Sequence, residues 1–211
     1  MGVATSSCFH RSCPDRCFHR EGTIDGGAPF AKNECLNSSS LSTCRSTLVM
    51  ARGAHGDLRM LDEQGAAQFV CKGLDGRKGA DPKPVTICDA AGEPLCLVER
   101  VEPMATDATF RVLIKGEPIA AIASNGGEFI YSVRGKEALA VSQSVGLQGA
   151  FGLLGRQLDL KRGVGGPCVG SMVGSLGAPW TITTAPGVDL LAVLSLFVAL
   201  TCMGGLQQAR S

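Results

Sequence analysis

The stretch VDLLAVLSLFVALTCM, Val188 to Met203, decides how the rest of the chain is read. Pro186-Gly187 precede it and Gly204-Gly205 follow, so both ends of a helix are marked. Asp189 stands where a carboxylate accepts hydrogen bonds from the first free backbone N–H groups and offsets the positive end of the helix dipole. Gly204 or Gly205 supplies the left-handed stop. Between them Leu190, Leu191, Val193, Leu194, Leu196, Phe197 and Leu200 leave no polar face. A helix apolar all round is either enclosed by protein or spans a membrane, and periodicity does not separate the two. Sixteen residues at ~1.5 Å each cover roughly 24 Å, short of a ~30 Å hydrocarbon core. Arg210 is the only nearby cation, and the flanks lack the aromatic anchors of an interface. These features favour burial and leave a membrane span as the alternative. Burying ten or so large side chains at ~1.5–3 kcal/mol each would make this helix the main stabilising element.

Something must enclose such a helix, and the preceding residues offer hairpins. LRML-DEQG-AAQFVCK is answered 27 residues later by VTIC-DAAG-EPLCLVE, with Asp62 and Gly65 matched by Asp89 and Gly92. Each reads as strand, turn, strand: Asp braces the turn through its side chain and Gly takes the left-handed position. Two looser copies follow, FRVLI-KGEP-IAAIA and FIYSV-RGKE-ALAVS. In them Phe110, Val112 and Ile114, then Phe129, Tyr131 and Val133, alternate with the strand period of two. QLDLKR, PCVGSMVG and APWTITT add three or four short strands, for about twelve in all. An open antiparallel sheet of that size leaves long edges of unpaired backbone groups, and closure removes them. A barrel of about twelve strands is too wide for its own side chains to fill, since eight already give a just-filled lumen. The predicted fold is therefore mainly β: an antiparallel closed barrel of about twelve strands around a buried apolar C-terminal α-helix. The barrel domain is expected over residues 55–206. A disordered Cys/Ser-rich tail and linker precede it over residues 1–54, and a short tail occupies 207–211.

Composition narrows the function. Twenty Lys plus Arg nearly cancel nineteen Asp plus Glu, so the 211-residue chain has no global field to gather nucleic acid, and any basic site is local. Ten cysteines without an apolar secretory segment at the N-terminus predict reduced, intracellular thiols, with Cys88 and Cys202 acting as small hydrophobes. No G-x-S-x-G elbow, phosphate-binding G-x-x-x-x-G-K-[ST] loop or G-x-G-x-x-G turn is present. The three histidines, His10, His19 and His55, all precede the hairpins, which leaves the barrel without an imidazole for acid–base work. The expectation is a protein that is not an enzyme and uses no cofactor. The repeated CFHR at Cys8–Arg11 and Cys17–Arg20 lacks the spacing of a zinc site, so no metal is expected.

The hairpins of type D-x-x-G, followed by ITTAPGVDLLAVLSLFVAL, resemble the tubby C-terminal-like superfamily, especially its LURP-one-related and phospholipid scramblase branches. The resemblance covers roughly Leu58 to Gly205. It implies a twelve-stranded antiparallel barrel threaded by the C-terminal helix. Tubby proteins bind phosphoinositides and anchor reversibly to membranes, scramblases are credited with calcium-dependent lipid movement, and most LURP-one-related members have no defined biochemistry. Scramblase-like members carry several carboxylates near the start of the last helix, where this chain has only Asp189, which reads as a helix cap. Tubby-type lipid binding needs clustered cations, for which Lys72, Arg77 and Lys78, or Lys161 and Arg162, are the candidates.

The chain opens MGVATSSC, which satisfies the M-G-x-x-x-[ST] pattern for myristoylation of Gly2, with Cys8 close enough for palmitoylation. Two acyl signals are what stable anchoring takes. The function expected from these readings is a non-catalytic, membrane-associating module of the tubby-like type, cytoplasmic and at the cytoplasmic face of a membrane. Its expected partners are anionic or phosphoinositide lipids, or proteins, but not nucleic acid. The alternatives are a scramblase-like protein using the terminal helix as a span, and a protein-interaction module with no lipid role.

Overall fold

The computed structural model describes residues 35–36, 41, 44–53, 57–74, 83–101, 109–125, 128–143, 156–174 and 179–202. They form twelve strands and one helix: β1 (Ser46–Arg52), β2 (Leu58–Leu61), β3 (Ala67–Lys72), β4 (Val85–Asp89), β5 (Pro94–Val101), β6 (Thr109–Ile114), β7 (Glu117–Asn125), β8 (Glu128–Val133), β9 (Lys136–Gln143), β10 (Arg156–Lys161), β11 (Cys168–Gly174), β12 (Thr181–Thr184) and α1 (Leu190–Cys202). Every strand pairs antiparallel with its neighbours in sequence, and β1 pairs with both β2 and β12, so the meander closes.

The expected hairpins are present with their turn chemistry. Asp62 Oδ1 accepts from the N–H groups of Gln64 (3.0 Å) and Ala66 (2.8 Å). These backbone donors, Ala66 foremost, hold its carboxyl below the usual carboxylate range. Asp89 Oδ1 repeats the arrangement with Ala91 and Glu93, each at 2.9 Å. The next two turns are tighter. Lys115 (φ 51°) with Gly116 (φ 84°), and Arg134 (φ 49°) with Gly135 (φ 78°), are left-handed at both central positions. That is the turn whose twist matches the flanking strands.

Each hairpin from β2/β3 to β10/β11 also carries one register shift, and the pairs between hairpins carry none. In every case the second strand holds the extra residue, namely Gln68, Leu95, Ile119, Ala138 and Val169. A bulge bends its strand and raises the local twist, which a sheet needs in order to curl shut. Three of the extra carbonyls are used at once. Ile119 accepts from Arg134 N–H (3.0 Å), Ala138 from Gly163 N–H (3.2 Å) and Val169 from Ala185 N–H (2.8 Å). The turns are thereby tied to one another around the barrel end.

Inward residues meet inward residues across the strand pairs: Leu48 with Ile182, Met50 with Met60, Val85 with Val98, Phe110 with Ile122, Ile122 with Tyr131, and Leu158 with Met172. The lumen they line is filled by α1. Ten consecutive helix residues, Leu191 to Leu200, are buried, which no helix lying on an outer wall would achieve. Trp180 packs its ring edge-on to Phe197, with centroids 6.2 Å apart, and lies flat over Gly174, where any Cβ would enter the indole. The hydroxyl of Ser195 is fully buried and donates to Leu191 O (2.8 Å).

Two expectations need correction. The barrel begins at Ser46, not residue 55, because the short run STLVMAR is the strand that joins β2 to β12; its alternating burial only pays off once both neighbours exist. Parts of the expected tail are also docked: Cys35 is buried, and Leu36 and Leu41 pack against the core. The spanning alternative for the last helix fails as well. Among the described residues no helix is long and apolar enough to cross a membrane, and α1 spends its apolar surface inside the barrel. The helix is shorter than the apolar run, with Val188 and Asp189 leading into it; Met203, Gly204, Gly205 and Arg210 lie outside the described residues.

Candidate functional site

Antiparallel order sends the turns β2/β3, β4/β5, β6/β7, β8/β9 and β10/β11 to one end of the barrel, here termed the hairpin rim. Thr184, at the end of β12, pairs with Ser46 at the start of β1 and Gly170 near the start of β11, so the helix also enters from this rim. Asp189 sits there, 1% exposed, and does two jobs. Its Oδ1 caps α1 by accepting from Leu191 (3.0 Å) and Ala192 (3.4 Å) N–H. Its Oδ2 accepts from Leu36 N–H (2.6 Å), and its backbone bridges Leu41. The segment before β1 is thus strapped over the point where the helix enters.

The other polar groups of the interior are held neutral. Burial pushes the Cys71 and Cys96 thiols up to about 12 and the Cys202 thiol up to about 11. A thiol reacts as its thiolate, so these three act as packing residues at neutral pH, and buried Cys88 sits beside them as the small hydrophobe expected. Cys96 Sγ lies 3.7 Å from Ser195 Oγ. Burial likewise raises the Tyr131 phenol well above its ordinary range, with Asp189, Cys96 and Cys35 adding to the effect. The Tyr131 hydroxyl and Thr184 Oγ1 are buried without a hydrogen-bond partner among the described residues.

The candidate cations do not converge. Lys161 and Arg162 lie at the β10/β11 turn on the hairpin rim, half-buried. Lys72 is exposed at the end of β3, five strands away around the barrel. Its Nζ reaches toward the β4/β5 turn, where a Cβ on Gly92 would sit 3.8 Å from it. Arg77, Lys78, Gly2 and Cys8 lie outside the described residues. Sequence reasoning missed the cations that share the rim with Lys161 and Arg162 on the two preceding hairpins: Lys115 in the β6/β7 turn, and Arg134 and Lys136 at the β8/β9 turn, all exposed. Each is isolated along the chain, so its only sequence signal is a cation beside a turn glycine. Among the described residues no group of His, Cys, Asp and Glu is placed to hold a metal ion.

These features define a closed twelve-stranded meander barrel with a helix sealed in its lumen, whose ionisable chemistry lies on its outer wall and rims. No protein-family model matches the chain, and no curated protein matches it. Among solved structures the chain is similar to the X-ray structure of the Arabidopsis thaliana protein AT5G01750, with a TM-score of 0.56 and 14% identity over 80% of this chain and 97% of that one. At that identity the likeness is one of fold.

Proposed function

We propose that this protein is a non-catalytic, membrane-associating binding module of the tubby-like type, acting at the cytoplasmic face of a membrane. The observation that carries the reading is the burial of α1: with the lumen occupied by Leu191 to Leu200, recognition falls to the outer surface. The barrel-and-helix arrangement is the one implied by the likeness to tubby-like and LURP-one-related proteins, which supports the assignment at the level of fold alone. The hairpin sequences contain no histidine, and the Cys71 and Cys96 thiols are neutral and packed away, both of which favour binding over catalysis. Lys161 and Arg162 provide local positive charge on a chain whose net charge is only +1. Gly2 and Cys8 supply acylation candidates that would convert weak surface attraction into stable anchoring.

The test is flotation of the full chain, expressed with and without an N-myristoyltransferase, on vesicles of phosphatidylcholine alone or with phosphatidylserine or a phosphoinositide. The acylated chain is expected to float with the anionic vesicles, the Gly2→Ala variant more weakly. Failure of every form to float on any vesicle would leave a protein-interaction module as the reading.

A further inference from the structure

The five turns of the hairpin rim divide by the charge of their own residues, although Lys72 Nζ reaches the β4/β5 turn and exposed Arg45 precedes β1 at this end. The adjacent β2/β3 and β4/β5 turns contribute Asp62, Glu63, Asp89 and Glu93, and no Lys or Arg of their own. The next three turns contribute Lys115, Arg134, Lys136, Lys161 and Arg162 against Glu117 and Glu137. Along the chain these five cations are scattered over 48 residues. The antiparallel meander places them on three consecutive turns of one rim, and the bonds from Arg134 N–H to Ile119 O and from Gly163 N–H to Ala138 O tie those turns to the strands behind them. Consecutive hairpins stand two strand widths apart, ~10 Å, so the basic sector spans roughly 20 Å.

Two more features fall on the same rim. Val164, at the tip of the β10/β11 turn and flanked by glycines, is the large hydrophobic side chain left exposed among the described residues (51%). The segment carrying Gly2 and Cys8 joins the described structure at Cys35, which lies beside Asp189 at this end.

We infer that the Lys115–Arg134–Lys136–Lys161–Arg162 sector is the face by which the protein docks on an anionic bilayer, with Val164 at the interface and the acidic turns tilted away. The inference rests on the membrane-associating reading above and adds which face makes the contact. A bilayer accounts for a flat spread of cations together with an apolar tip. A single-stranded nucleic acid would call for aromatic stacking platforms, and these turns contain none.

The experiment compares two triple variants of the full chain, both lowering the charge equally. Lys115→Asn/Arg134→Asn/Lys161→Gln removes cations from the sector; asparagine is chosen because it tolerates the left-handed backbone at the first two sites. Arg59→Gln/Lys83→Gln/Arg100→Gln removes three exposed cations near the opposite end. Circular dichroism and thermal melts confirm that both are folded. Each cation near an anionic surface changes affinity about fivefold, so the rim variant is expected to bind phosphatidylserine vesicles on the order of 100-fold more weakly. The matched variant is expected to lose far less, and Val164→Asp to weaken binding further. Equal weakening by the two triple variants, or wild-type binding by the rim variant, would overturn the inference while leaving membrane association standing. No binding by the wild type would remove both. Rim-dependent binding to polyglutamate beads but not to vesicles would assign the sector to an acidic protein and overturn the bilayer assignment.

Discussion

Asp189 is the residue whose replacement tests most of this architecture at once. Its carboxylate serves the helix through Oδ1, where the donors are buried, and the strap before β1 through Oδ2, where the Leu36 N–H is partly buried. Asp189→Ala removes the helix cap, worth ~1 kcal/mol in typical hosts, and strands buried N–H groups that cost ~1–3 kcal/mol when left unmade. Relief of the carboxylate's own burial offsets part of this, leaving a net loss of about 3 kcal/mol. For a chain of this size that corresponds to a fall in Tm of about 10 °C. Asp189→Asn keeps an oxygen toward Leu191 and Ala192 but turns an NH2 donor toward the Leu36 N–H, so it is expected to lose roughly half as much. Urea and thermal unfolding of wild type, Asp189→Asn and Asp189→Ala measure the series. A chain beginning at Cys44 supplies the coupling: without Leu36, the asparagine substitution is expected to cost less than it does in the full chain, by more than ~0.5 kcal/mol. The reasoning is refuted if Asp189→Ala is within that margin of wild type, or if Asp189→Asn costs the same in the full and shortened chains.

Gly174→Ala is expected to destabilise by about 1–3 kcal/mol, because its methyl group must displace the Trp180 indole; the fluorescence of this single tryptophan reads the shift directly. Stability is expected to hold up to about pH 9 and then fall toward pH 12. Cys71 and Cys96 are raised from 9.0 to about 12, so the unfolded thiols lose protons first and the unfolded state is favoured between those limits; Cys71→Ala/Cys96→Ala is expected to flatten that decline. Leu194→Asp is expected to prevent folding, since it buries an unpaired charge in the barrel lumen. Because α1 is enclosed, alkaline carbonate is expected to release the unacylated protein from membranes, and retention in the pellet would count against that enclosure.

Much of the barrel was legible in the chain because its signals are local. An Asp followed three residues later by Gly writes a hairpin turn, a two-residue alternation writes a half-buried strand, and an unbroken apolar run ending in glycine writes a helix with no wet face. Edge closure and a lumen too wide for its own side chains then require that helix to sit inside. β1 was not legible: STLVMAR resembles the linker before it until β2 and β12 stand on either side. Likewise nothing in Leu36 or Leu41 announces that they strap the helix entrance, because their partner lies 153 residues from Leu36.

The candidate site divides along the same line. By itself the sequence determined the helix and the strands other than β1, the cap at Asp189 and the short pair Lys161-Arg162, all of which depend on residues within a few positions of one another. Only the tertiary structure decided that Lys115, Arg134 and Lys136 join that pair, that Lys72 does not, and that the acidic turns gather on the other side of the rim. Charge proximity across a barrel is set by strand order and register, and those follow from how the apolar faces close around α1.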